Sequence, residues 1–281
     1  MIDNVFSLHQ SPGGNEVTFP FDLKDYQRYV FGDDRLAHRL GTACAKAFIA
    51  HGSGSRAAQP TTAPASNQSA ADDVAVAVVS GYVPTATHSL RNHFVAYLNR
   101  HLISTNANPA LKIDLNVVEG PHGRTGPHAG TENYCLDREQ VGNRPIILLS
   151  DIRLSQDREH RVRLSLRSQH IDNPLVFVYL AAVTEPTRVC SLSSILSFIV
   201  TPSLKDVELL AQTNSFVMNE CFVQYILGRD DEEFCRFLRR QDDGFVRLLL
   251  DYAIGGRYYD DDMYRANVKF MQWEVGARES M

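Results

Sequence analysis

Several features that would mark a common class of protein are scarce here. The five cysteines (Cys44, Cys135, Cys190, Cys221 and Cys235) are far apart and form no CxxC pair. A zinc ribbon or a thioredoxin-type redox site is therefore unsupported, and a reduced, cytoplasmic setting is the simplest expectation. Positive charge is in deficit: 28 Lys and Arg stand against 33 Asp and Glu, a formal net charge of -5. That balance offers no basic footprint, so no nucleic-acid partner is expected. The longest apolar runs fall short of the ~20 residues that span a bilayer, so no membrane partner is expected either. The opening MIDNVFSLHQSPGG has no basic stretch followed by an apolar one, and no signal peptide is read from it. Tryptophan occurs once, at Trp273, where packing or an interface is its ordinary use.

What is present is enough apolar residue, 44% of 281, to build a sizeable core. Residues 1–23 look irregular, broken by Pro12, Gly13, Gly14 and Pro20. Asp25 to Ala50 reads as helical, with Leu36, Leu40, Ala43, Ala47 and Phe48 on one side. Residues 52–72 are rich in Ser, Ala, Thr and Gln and read as a flexible surface loop. The chain then alternates. DVAVAVVSGY, LKIDLNVVEG, RPIILLSDI and PLVFVYLAAV have the character of strands, while TATHSLRNHFVAYLNRHL and REHRVRLSLRSQH have that of helices. This order predicts an α/β fold with a mostly parallel sheet and crossover helices over 24–200. A helical C-terminal region follows over 201–281.

Ligands of parallel α/β sheets bind at the carboxyl ends of strands. Two such ends stand out. In VVSGYVPTATHSL, Ser80 and Gly81 allow a sharp turn, and Thr85 or Thr87 suits a helix cap. The helix start could hold a phosphate or pyrophosphate, or could be a capped entry with no ligand. In IILLSDIRLSQDRE, Asp151 ends an apolar run and could hold ribose hydroxyls or a Mg²⁺, with Ser155 donating to a phosphate. The plainer reading is that Asp151 and Ser155 cap the next helix.

Other features point to ordinary roles. His122 and His128 flank GRTGP without a third ligand, which disfavours a metal. That segment is either a cover over the site, with Arg124 reaching a phosphate, or an exposed connector. Arg158, Arg161, Arg163 and Arg167 give a solvated basic face, with Arg158 nearest the candidate loop. The acids of RYYDDDMY suit a helix start better than a metal.

The succession strand–SGYVPTA–helix, strand–SDIRLSQDRE–helix resembles the type I phosphoribosyltransferase fold. More narrowly, it looks like the phosphoribosyltransferase-like proteins encoded near tellurium-resistance stress genes. The likeness runs from DYQRYVFGDDRLAHRLG to DYAIGGRYY and leaves out 52–72. It implies that phosphoribosyl pyrophosphate (PRPP) binds with Mg²⁺ at the strand ends and passes ribose 5-phosphate to a base. Carried over, Asp151 is the second ribose-binding acid and the catalytic residue, and Ser150 stands where the first acid would be. Arg153, Ser155, Gln156 and Arg158 fall on the phosphate turn. Ser80, Gly81, Tyr82 and Thr85 fall on the pyrophosphate-side loop. A homodimer is an expectation by the same analogy.

Two residues depart from the motif. Gln156 replaces a glycine, whose freedom at positive φ and lack of a side chain suit a phosphate turn. Asp157 adds a carboxylate. A like-charge contact near 4 Å costs about 4 kcal/mol at an effective dielectric of 20. That exceeds the roughly 1.5–3 kcal/mol of a charge-assisted hydrogen bond. Three outcomes stay open: Asp157 points away, Arg153 or Arg158 neutralises it, or the loop does not grip PRPP. The alternative function is a non-catalytic binder of a nucleotide or phosphometabolite, or an interaction protein with a degenerate loop.

Overall fold

The computed structural model describes residues 5–11, 21–57, 74–118, 133–183 and 197–280. Six strands form one sheet: β1 (Val5–Ser11), β2 (Ala75–Ser80), β3 (Leu111–Val118), β4 (Asn133–Cys135), β5 (Ile146–Arg153) and β6 (Leu175–Val183). Their order is β1-β6-β5-β2-β3-β4. All neighbours run parallel except β3 and β4. The α/β class and the mostly parallel sheet are as the alternation predicts.

Period-two alternation sorts the strand residues onto two faces. Val76, Val78, Ile147, Leu149, Val178 and Leu180 face helices α2 (Asp34–Ala57) and α3 (Ala86–Ser104), packing on Cys44, Leu90, Phe94 and Leu98. Ala75, Ala77, Ile146, Leu148, Phe177 and Tyr179 face α5 (Asp157–Ser168), packing on Val162 and Leu166. A short α4 (Arg138–Val141) precedes β5. The crossover through α3 carries the chain from β2 outward to β3, and the one through α5 carries it from β5 the other way to β6. Right-handed crossovers in opposite directions put their helices on opposite faces. The sheet therefore reverses direction between β2 and β5, the place where ligands bind in open α/β sheets.

The C-terminal helices α6 (Leu204–Ala211), α7 (Glu220–Leu227), α8 (Asp231–Leu238), α9 (Asp243–Gly255) and α10 (Arg265–Glu279) share a core of Phe222, Phe234, Phe237, Val246 and Leu249. Phe31 and Val83 enter that core from the sheet side. Three backbone contacts complete the junction: Val217 N–H to Gly32 O at 2.9 Å, Asp34 N–H to Ser215 O at 2.9 Å, and Glu220 N–H to Pro84 O at 2.8 Å. Buried Asn219 caps α7 through Phe222 N–H (3.1 Å) and donates to Val30 O (2.9 Å). Gly32 sits at φ 105°, and a Cβ there would overlap the Val217 carbonyl oxygen.

Two expectations need correction, and a third gains detail. Residues 1–23 are not wholly irregular: Val5–Ser11 forms an edge strand on β6, with Phe6 and Leu8 against the core. Its partner is some 170 residues away in the chain, so no local pattern announces it. The helical region expected over 25–50 is helical, as two helices, α1 (Leu23–Val30) and α2, separated where Gly32 meets Val217. The loop expected at 52–72 starts later, since α2 runs through Ala57; residues 58–73 lie outside the described residues.

Candidate functional site

The register pairs Ala75 with Ile146 and Ala77 with Leu148, so the carboxyl ends of β2 and β5 emerge at one edge of the sheet. That edge receives both stretches singled out from the sequence, Ser80–Thr85 and Asp151–Arg158. The β2–β5 pairing recorded stops at Ala77, while β2 stays paired to β3 through Ser80 and β5 to β6 through Arg153. The strands part at the reversal.

On the β2 side, an open cavity of about 520 Å³ is lined by Ser80, Gly81, Tyr82, Pro84, His88, Asp114, Asn116 and Val117. Thr85 is the N-cap of α3, and its N–H donates to His88 Nδ1 at 3.0 Å. His88 thus fills the place a Glu or Gln takes in a capping box. An Nδ1 that accepts leaves the neutral ring's proton on Nε2. Burial and the nearby Arg91 hold the His88 pKa below its usual value, which favours that neutral ring. Nε2 lies 3.2 Å from Ser80 Oγ and 3.7 Å from Asp114 Oδ1. Ser80 Oγ in turn donates to Gly81 O at 3.0 Å. This is not a nucleophile–base pair: Nε2 carries the proton, and the Ser80 proton is engaged by a carbonyl. Arg91, itself buried, donates to Asp114 Oδ1 and to Ile113 O. Gly81 has an ordinary φ and open space where a Cβ would stand, so glycine is not required by this turn. Tyr82 is 68% exposed, and its ring lies over Gly255, where a Cβ would overlap it.

On the β5 side, Asp151 turns away from helix capping. Tyr29 donates to its Oδ1 at 2.9 Å and Tyr26 to its Oδ2 at 3.4 Å. Burial pushes its pKa up to about 6, against the opposing effect of the tyrosine hydrogen bonds and of Arg158. Both tyrosines are pushed well above their ordinary range, first by burial and then by the Asp151 charge. Arg153, expected to face a phosphate, instead pairs with buried Glu159, with Nη2 to Oε2 at 2.9 Å. Glu159 also accepts from the Tyr179 hydroxyl at 3.0 Å.

Ser155, Gln156, Asp157 and Arg158 form the exposed start of α5. Ser155 Oγ accepts from Asp157 N–H at 3.3 Å, one residue ahead of Gln156, the N-cap of α5, whose own side chain makes no cap bond. Gln156 is right-handed at φ -86°, so its replacement of glycine carries no backbone strain. Its side chain and the Asp157 charge remain as obstacles to an anion. Ser150 neighbours Asp151 on β5, so the two side chains leave opposite faces of the strand. Arg124, with His122 and His128, lies outside the described residues.

Sequence reasoning missed His88, Asp114 and Asn116 on one rim, and Tyr26, Tyr29 and Glu159 on the other. Thr85-x-x-His88 carries a capping-box spacing, and Asp114 and Asn116 are the polar positions of an alternating strand end, so those signals were present. Nothing local marks Tyr26 or Tyr29 as partners of an acid more than 120 residues away. Among the described residues no group of three or more His, Cys, Asp or Glu is placed to hold a metal. No described helix is long and apolar enough to cross a membrane. Burial pushes the Cys44 thiol up to about 12 and Cys221 to about 11, so neither is an activated nucleophile.

No curated protein matches the chain. Among solved structures, it is similar to a hypoxanthine phosphoribosyl transferase of Trypanosoma cruzi (16% identity, 55% of this chain and 69% of that one, TM-score 0.32). It is also similar to the hypoxanthine-guanine phosphoribosyl transferase of L. donovani (20% identity, 53% and 68%, TM-score 0.31). A third is a hypoxanthine phosphoribosyltransferase from Staphylococcus aureus (10% identity, 62% and 72%, TM-score 0.32). Scores of this size carry no geometry from those proteins to this one. The family model described as PRTase ComF-like matches residues 2–271, taking in the sheet, both rims and the C-terminal helices into α10, and the chain belongs to that phosphoribosyltransferase family.

Proposed function

We propose that the protein binds PRPP across the parting of β2 and β5 and transfers its ribose 5-phosphate to a base. The observation behind this reading is the reversal of the sheet between those strands, with a cavity opening on the same edge, in a chain of this family. The reaction is displacement at the anomeric carbon through an oxocarbenium-like transition state, in which positioning and fixed charge supply most of the rate. Mg²⁺ enters with the donor's diphosphate in this reading, because the described carboxylates form no cluster and Asp151 is engaged by two tyrosines. Kinship with the proteins of tellurium-resistance and stress gene clusters, a cytoplasmic location and a homodimer belong to the same proposal.

A second reading is favoured by the Tyr26–Asp151–Tyr29 and Arg153–Glu159 contacts, which engage two residues the transferase reading would use. In it the chain binds a nucleotide or phosphometabolite without turnover. Calorimetry with PRPP and Mg²⁺, followed by pyrophosphate release over a panel of bases, separates the two. Binding with release supports transfer, binding without release supports the sensor, and no binding rejects both. Asp151→Ala abolishes PRPP affinity if Asp151 holds the ribose; unchanged affinity removes it from the site.

A further inference from the structure

We propose that His38 and His93 hold a divalent transition-metal ion of the class imidazole prefers, Zn²⁺ or Cu²⁺, between helices α2 and α3. Their Nδ1 atoms face each other at 3.1 Å, with the ring planes at 90°. Two nitrogens each about 2.0–2.1 Å from one ion stand about 2.9 Å apart at a right angle and about 3.3 Å apart at the tetrahedral angle. The pair therefore already has the separation of two ligands of a single ion. Without the ion, the same separation serves a hydrogen bond from one neutral ring to the other.

The tautomer that ligation needs is set from the far side of His93, where Nε2 lies 3.0 Å from Asp34 Oδ1. Nε2 donates to that carboxylate, which in the neutral ring leaves the Nδ1 lone pair facing His38. Metal-bound histidines have this arrangement: the second nitrogen is bonded to a carboxylate that orients the ring and raises its basicity. Asp34 and His38, four residues apart on α2, share one face of the helix. His38 is exposed, so its proton is free to move to Nε2 and its Nδ1 becomes the second ligand. Both ligands stand on helices whose backbones meet beside them. A Cβ at Gly41, three residues after His38, would lie 2.7 Å from Leu90 O and 3.1 Å from His93 Cβ. Sites built on such rigid elements hold their geometry. Two protein ligands are fewer than the four of a closed structural site, so water fills the other positions and the ion exchanges with solvent. Asp34 stays bonded to the ring, outside the coordination shell, in keeping with the lack of a three-ligand group among the described residues.

None of these three residues lines the cavity, so the inference goes beyond the transfer reading and stands without PRPP. The test is calorimetry on the full chain with Zn²⁺ and with Cu²⁺, no PRPP present, and Mg²⁺ as the contrast. Both ions bind, Cu²⁺ more tightly than Zn²⁺, as imidazole ligands order them. His38→Ala and His93→Ala each weaken that binding by about tenfold or more. Asp34→Asn, which keeps an acceptor for the ring and removes the charge, weakens it about tenfold. His160→Ala, at an exposed histidine of α5, leaves it unchanged. Zn²⁺ raises the Tm of the native protein more than that of His38→Ala. His93 is partly buried; where His93→Ala melts early without metal, the exposed His38 variant decides alone. Failure of both ions to bind, or binding indifferent to His38→Ala, overturns the proposal. So does a loss shared equally by His160→Ala, the mark of ions adhering to surface histidines in general, or Mg²⁺ binding that responds to His38→Ala.

Discussion

The Tyr29 hydroxyl donates to Asp151 Oδ1 at 2.9 Å, tying α1 to the carboxyl end of β5. The acid that sequence likeness places on the ribose is thus also a strut between the first helix and the sheet. Its chemistry follows from that position: partly buried, bonded by two phenols and easier to protonate than an ordinary aspartate.

That protonation makes stability depend on pH. The folded state holds the Asp151 proton up to about pH 6, against 3.8 ordinarily. Its contribution is therefore full below 3.8 and falls as pH rises to about 6, by about 3 kcal/mol. Asp151→Asn cannot ionise, so its stability relative to the native protein rises between these limits. Urea unfolding of both proteins near pH 4 and near pH 7 checks this; parallel pH profiles would exclude Asp151 as the group responsible.

Gly32→Ala places a Cβ against the Val217 carbonyl oxygen at φ 105°. Backbone blocks backbone there, and the clamp between the sheet and the C-terminal helices must open. We expect a loss of at least about 2 kcal/mol, or roughly 5 °C in Tm for a chain of this size. A thermal melt unchanged from the native protein would show that the junction yields freely.

Gly255→Ala has the opposite character. The atoms in the way belong to the Tyr82 ring, the far end of an exposed side chain, which can swing aside. Stability should change by less than about 1 kcal/mol. A steep fall in Tm would mean that the ring is locked in place.

Glu159→Gln removes the charge that receives Arg153 and the Tyr179 hydroxyl in a buried setting. The expected cost is about 2 kcal/mol, the order of a hydrogen bond to a charged group. The urea midpoint should fall with the m-value unchanged. If the midpoint stays put, the Arg153–Glu159 pair contributes little to holding α5 on the sheet.

Much of the sheet was legible before any coordinates. DVAVAVVS, IILLSDIR and LVFVYLAAV are apolar enough to lie between two layers of helices, and they do. The amphipathic α3 and the polar turn before α5 were equally plain. What escaped notice depends on distant partners. VFSLHQS is a strand because β6 lies beside it, and the helical region over 25–50 divides into two helices where Val217 reaches Gly32. His88 is marked by spacing alone, because Thr-x-x-His lacks the Glu or Gln of the usual capping box, and only the folded chain shows its ring closing on the Thr85 N–H.

The sequence by itself determined the α/β class, the mostly parallel sheet and the two polar strand ends proposed as the site, because periodicity and turn chemistry act over a few residues. Only the tertiary structure decided what those ends can hold. Asp151 is bonded by two tyrosines of α1, Arg153 is turned to Glu159, and the cavity lies on the β2–β3 side with Asp114 in its wall. Hydrogen-bond commitments of this kind are made between residues far apart in the chain, and burial, not composition, sets their strength.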